Sequence, residues 1–113
     1  MFSGDKGKFL ENLVFIELKR RKKDIYFYKT ARNLEIDFLY YEAGKYCLIQ
    51  VSYGLDDVKT RKREIKAMVE AANELPDTKN IILTYDEEDD IVKDNVAIKI
   101  LPVWKWLLDP ING

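Results

Sequence analysis

A few of the 113 residues have the types and spacing that metal-ion chemistry uses. Glu11 falls in a helical stretch, Asp37 in the strand-like run Glu35-Ile36-Asp37, and Gln50 in Gln50-Val51-Ser52 of a following strand. A helix carboxylate, a strand carboxylate and a further acidic strand residue would supply the oxygen-rich octahedral shell that Mg²⁺ prefers. If the two strands pair antiparallel, Asp37 and Gln50 share a surface, because side chains alternate with period two. A lysine two residues after the last acid would project from the same face and steady a hydrolytic water or developing negative charge. Here the third acidic position is the neutral Gln50, and Ser52 stands where that cation would be.

Other chemistries fall away on composition. The chain has no histidine, which excludes a His-based triad, a His-bearing zinc site and a haem with a His ligand. Its single Cys47 makes an internal disulfide or Cys-rich metal site impossible and suits a reducing interior. Cys47 lies in an aliphatic strand, so it reads as packing rather than as a nucleophile. Nineteen basic and twenty acidic side chains nearly cancel, so local clusters carry any argument about polyanions. Two such clusters are basic: Lys19-Arg20-Arg21-Lys22-Lys23 and Arg61-Lys62-Arg63. Both are candidates for phosphate contacts, with Tyr26, Tyr28 and Tyr40 as stacking partners for bases. The acidic run 86–90 lacks the glycine and spacing of a calcium loop and reads as a solvated turn. Glu17 and Glu35 read as solvated-face residues, whereas Asp37, set among Ile36, Phe38 and Leu39, needs a partner if buried.

The elements that must position these residues follow from hydrophobic spacing. Phe9, Leu10, Leu13, Val14, Ile16 and Leu18 predict a helix from about Asp5 to Arg21. Residues 1–4 read as a ragged start. Strands are predicted at Ile25–Tyr28, Glu35–Glu42 and Tyr46–Tyr53, the last two separated by a break at Gly44. Period-two counting puts Glu35, Asp37, Leu39 and Tyr41 on one face, with Ile36, Phe38 and Tyr40 opposite. Tyr46, Leu48, Gln50 and Ser52 share a face of the next strand. Asp56 or Asp57 caps a second helix that runs to about Leu75, with a stripe of Ile65, Met68, Val69, Ala72 and Leu75. Ile81–Tyr85 and Val96–Leu101 are further strand candidates, with a turn at Asp94-Asn95. Pro102 opens a short helix in which one of Trp104 and Trp106 anchors the core. The order predicts a three-layer α/β fold with a central mixed sheet of at least four strands, not an all-β barrel.

The chain resembles the small carboxy-terminal domain of a family of archaeal and bacterial AAA+ ATPases, a domain similar to the PD-(D/E)XK nuclease superfamily. The resemblance is carried by Leu10-Glu11-Asn12-Leu13-Val14, Glu17-Leu18-Lys19-Arg20, Glu35-Ile36-Asp37-Phe38 and Leu48-Ile49-Gln50-Val51-Ser52-Tyr53. Thr60-Arg61-Lys62-Arg63-Glu64, Ile82-Leu83-Thr84 and Pro102-Val103-Trp104-Lys105-Trp106-Leu107 complete it. It covers nearly the whole chain and implies one restriction-endonuclease-like domain over residues 1–113. No Gly-rich phosphate loop ending in Lys-Ser or Lys-Thr occurs, so any ATPase activity belongs to a region outside this chain.

Active members of that superfamily bind Mg²⁺ with the helix Glu, the strand Asp and a Glu-x-Lys, and cut phosphodiesters. By that resemblance Glu11 takes the helix role, Asp37 the metal-ligand role, Gln50 the second acidic role and Ser52 the lysine position. Lys59 or Lys62 would have to serve as a migrated lysine. The expectation is a nuclease-like accessory domain without catalysis and without a cofactor, acting through a protein partner, a second copy of itself or nucleic acid. The alternatives are a Mg²⁺-dependent nuclease and a structural dimerisation module. No run approaches the ~20 apolar residues of a membrane span, and the expected location is cytoplasmic.

Overall fold

The computed structural model describes residues 3–109, with side chains described from residue 5. The order is α1 (Ser3–Arg20), β1 (Tyr26–Lys29), β2 (Glu35–Glu42), β3 (Lys45–Val51) and α2 (Val58–Glu74). It continues with β4 (Thr78–Thr84), β5 (Asp89–Lys93), β6 (Val96–Pro102) and α3 (Val103–Leu108). Of the ragged start expected at residues 1–4, Met1 and Phe2 lie outside the described residues, while Ser3 and Gly4 open α1. The acidic run is also corrected. Asp89 and Asp90 belong to β5 rather than to a turn, and Glu87 is tied down. Its carboxylate accepts from the Leu55 N–H at 2.6 Å, and its N–H donates to Thr84 Oγ1 at 2.9 Å.

Local chemistry explains the boundaries. α1 ends where Lys22 takes a left-handed φ of 61°, with Lys22 N–H bonded to the Lys19 carbonyl and Lys23 N–H to that of Leu18. This is a Schellman ending built without glycine. Asp57 caps α2 by accepting from the Thr60 N–H at 2.9 Å, and Pro76 follows the helix. Two-residue turns with positive φ, Ala43-Gly44 and Asp94-Asn95, join β2 to β3 and β5 to β6.

The six strands form one mixed sheet in the order β1-β2-β3-β4-β6-β5. β3, β4 and β6 run parallel at its centre, and the remaining neighbours pair antiparallel. α1 and α3 cover one face, burying Leu10, Val14, Leu18, Val103 and Trp106 against Phe38, Tyr40, Ile49, Ile81 and Leu83. α2 covers the other, burying Ala67, Met68, Val69 and Ala71 against Ile36, Leu48, Ile82, Ile98 and Ile100. The result is a mixed α/β fold with a central sheet flanked by helices. Trp106 is fully buried and anchors the first layer, while Trp104 is 57% exposed.

Strict alternation fails once, at Ile36, which packs under α2 instead of sharing a face with Phe38 and Tyr40. The register gives the reason. Tyr26 faces Leu39 and Tyr28 faces Ile36, so two residues of β1 are matched by three of β2. β2 therefore bulges between Ile36 and Leu39, the segment that holds Asp37. A bulge adds one unpaired residue and re-aims the side chains around it.

Candidate functional site

The bulge creates the site. The regular β2–β3 ladder runs from Glu42↔Lys45 to Phe38↔Ile49 and stops one step short of Asp37 and Gln50. Side chains replace it. The Asp37 N–H donates to Gln50 Oε1 at 2.7 Å, Gln50 Nε2 donates to the Glu35 carbonyl at 3.0 Å, and the Val51 N–H donates to Asp37 Oδ2 at 2.8 Å. Three hydrogen bonds thus clamp the two strands where backbone pairing has been lost. An amide is the group this clamp needs at residue 50. It donates and accepts at once, whereas an ionised glutamate can only accept. Gln50 is 4% exposed, so an unmatched donor or acceptor there would carry the full desolvation penalty.

Around the clamp lies a pocket of about 310 Å³. It lies where β2 leaves β3 and is reached from both helical layers: Glu11 from α1, and Arg63, Glu64 and Ala67 from α2. Glu11, Asp37 and Gln50, expected together from the sequence, do line one pocket. Burial pushes the Asp37 pKa up to about 7. The Val51 N–H opposes this, while the negative charges of Glu11, Glu64 and Glu35 add to it. Burial also raises the pKa of Glu64, against the pull of the neighbouring Arg63 guanidinium 3.4 Å away.

The other expected residues are placed elsewhere. Ser52 lines a neighbouring pocket, and its hydroxyl donates to the Gly54 carbonyl at 2.9 Å. Lys59 is exposed and does not line the Asp37 pocket, while Lys62 lines a separate cleft on another flank of α2. The cation at the Asp37 pocket is Arg63, one turn of helix beyond Lys59 and Thr60. From the sequence Arg63 reads only as a phosphate contact and Glu64 has no site role, although Thr60, Arg63, Glu64 and Ala67 have the spacing of one helix face.

Much of the first basic cluster is engaged within the molecule. Arg20 and Arg21 both bond Glu17, at 2.6 and 2.7 Å, and these contacts hold Glu17 down to about 2, with the Arg20 hydrogen bond the largest cause. Glu17 is therefore a bonded hub, not the solvated residue expected. Arg21 also donates to the Trp106 carbonyl and lies 4.5 Å from the Trp106 ring centre. Lys23 pairs with Glu42, while Lys19 and Lys22 remain exposed. In the second cluster Arg61 lies 3.7 Å from Asp89, and Arg63 pairs with Glu64. Among the proposed stacking residues Tyr40 is buried, Tyr28 donates to Glu74 at 2.5 Å, and Tyr26 is exposed. Cys47 is buried, and burial pushes its thiol pKa up.

The donor set does not fit Mg²⁺. Among the described residues no three His, Cys, Asp or Glu side chains are grouped to hold a metal ion. One oxygen of Asp37 and both polar atoms of the Gln50 amide already carry clamp hydrogen bonds. Among the described residues no helix is long and apolar enough to cross a membrane.

The chain is 43% identical over 116 residues to Uncharacterized protein MJ1544 of Methanocaldococcus jannaschii. That alignment covers 95% of this chain and 26% of the relative, so the chain spans about a quarter of the relative's length. The family model described as Domain of unknown function (DUF4143) matches residues 6–106, and the chain belongs to that family.

Proposed function

We propose that the chain is a PD-(D/E)XK nuclease-like accessory domain of restriction-endonuclease type. In this reading the catalytic pocket has become a structural clamp, and the domain serves an ATPase-linked assembly by binding a partner. The observation that carries the reading is the bonding of Gln50. Its amide joins Asp37 N–H and Glu35 O across the bulge, so the position that would hold a metal-binding acid supports the sheet instead.

Electrostatics points the same way. Glu11, Glu35, Asp37 and Glu64 surround one cation, Arg63, whose side chain is 66% exposed and already bonded to Glu64. A phosphodiester approaching this pocket meets net negative charge, and its transition state gathers more. Without a divalent ion the pocket repels the backbone it would have to cut. Partner binding therefore belongs to another surface of the domain.

The test is a cleavage assay with Mg²⁺ and with Mn²⁺ on single-stranded, double-stranded and branched substrates, with Asp37→Ala as control. The expected result is no metal-dependent cutting. Cutting that disappears in Asp37→Ala would overturn the reading in favour of an active nuclease.

A further inference from the structure

α2 carries a second unfilled surface, away from the Asp37 pocket. A cleft of about 680 Å³ runs along the helix, bounded by the β1–β2 turn on one side and the β5–β6 turn on the other. Its apolar side chains include Val58 and Ile65, at i and i+7 on one stripe of α2, with the buried Val69 in its floor. Val58 is 64% exposed. At 1.5 Å per residue these two lie about 10 Å apart, or roughly two helical turns.

The rim is cationic. Five Lys or Arg side chains line the cleft against three carboxylates. Two of the five are near acids, Arg61 at 3.7 Å from Asp89 and Arg32 at 3.9 Å from Glu70. Lys62, Lys66 and Lys93 have no ion-pair partner among the described residues. The cleft thus combines two apolar anchor positions two helical turns apart with an excess of positive charge.

We propose that this cleft binds an acidic amphipathic helix of a protein partner. Its apolar side chains lie along Val58 and Ile65, and its flanking carboxylates meet Lys62, Lys66 and Lys93. An amphipathic helix recognises a groove by apolar anchors at helical spacing, which is what the stripe offers. Charge complementarity at the rim sets orientation and excludes wrong partners. A second copy docking through the same α2 face would set Lys62 and Lys66 against their own counterparts, and like charges oppose that pairing. A nucleic acid would engage the lysines but leave the apolar stripe without a counterpart. The proposal rests on reading the domain as a binding module. Its test reads the cleft alone, whereas the cleavage assay reads the Asp37 pocket, so either can fail without the other.

The experiment is an NMR titration of the full chain with methyl and amide detection. The probes are a synthetic amphipathic helix with leucines flanked by glutamates, the same helix with lysines replacing the glutamates, and a short DNA duplex. The expected result is saturable shifts at Val58 and Ile65 with the glutamate helix. Binding should weaken by about tenfold or more with the lysine helix, and likewise in Lys62→Glu/Lys66→Glu. The variant's free spectrum, matching the parent away from the two sites, shows that the fold is intact. Equal affinity for both helices, shifts centred away from α2, or shifts on α2 from DNA alone would overturn the proposal.

Discussion

Two flanks of α2 face pockets built on opposite principles. On one, Glu64 and Ala67 border a pocket whose central polar groups are matched to one another: Asp37 to Val51, and Gln50 to Asp37 and Glu35. On the other, Val58 and Ile65 line a cleft with lysines that have no ion-pair partner among the described residues. The first arrangement spends the Gln50 amide and one Asp37 oxygen on bonds inside the molecule. The second keeps apolar surface and charge available to something outside it. Residue types that suggest catalysis can therefore mark a structural joint, while the surface proposed for binding lies on the other flank of the same helix. Mutations should separate the two flanks: the clamp side governs stability, and the cleft side governs association.

The largest effect is expected at Gln50. Gln50→Ala leaves the Asp37 N–H and the Glu35 carbonyl without their partner at a buried position. The loss should be about 2–4 kcal/mol in denaturant unfolding. An effect below about 0.5 kcal/mol would mean that the clamp does not hold β2 to β3.

Asp37 sharpens the comparison through pH. Its pKa is raised to about 7 in the folded chain, against an ordinary value of about 3.9 unfolded. The folded state therefore binds the proton more tightly. The stability this contributes is fully present below about pH 4 and is lost as pH rises to about 7. Asp37→Asn keeps an oxygen to accept from Val51 and cannot ionise. It should exceed the parent in stability by roughly 1–3 kcal/mol above pH 7, with the difference closing near pH 4. Unfolding curves across that range check the direction. A variant less stable than the parent at every pH would reverse the assignment of burial as the dominant cause.

How much of this was legible in the residues depended on the interaction involved. Helices and strands came through because their apolar spacing is a local property: α2 with its Asp57 cap, β2 from Glu35 to Glu42, and the order of every element but β5. The meeting of Asp37, Gln50 and Glu11 also came through, from pairing parity and family resemblance. The bulge did not, because an extra residue in β2 is fixed by its pairing with β1 and leaves no mark in strand composition. It turned Ile36 to the α2 face against the period-two expectation. β5 was hidden by its acids: Asp89 and Asp90 read as loop, yet an exposed edge strand accommodates charge. The basic run at Lys19–Lys23 looked like a phosphate surface because its partners Glu42 and Trp106 are distant in sequence.

The smallest effect on folding is expected on the cleft side. Lys62→Glu/Lys66→Glu changes two exposed side chains and should alter stability by no more than about 0.5 kcal/mol. Thermal unfolding checks this. A loss comparable to that of Gln50→Ala would erase the contrast between the two flanks.

The central claim is that Asp37 and Gln50 form a clamp and not a metal site. The most direct measurement is the unfolding midpoint of the full chain with increasing Mn²⁺, set beside that of Asp37→Asn. An ion that binds the folded state raises its stability as concentration passes the dissociation constant. The account predicts that millimolar Mn²⁺ leaves the midpoints of parent and variant alike in place. A saturable rise in the parent that is absent from Asp37→Asn would contradict it.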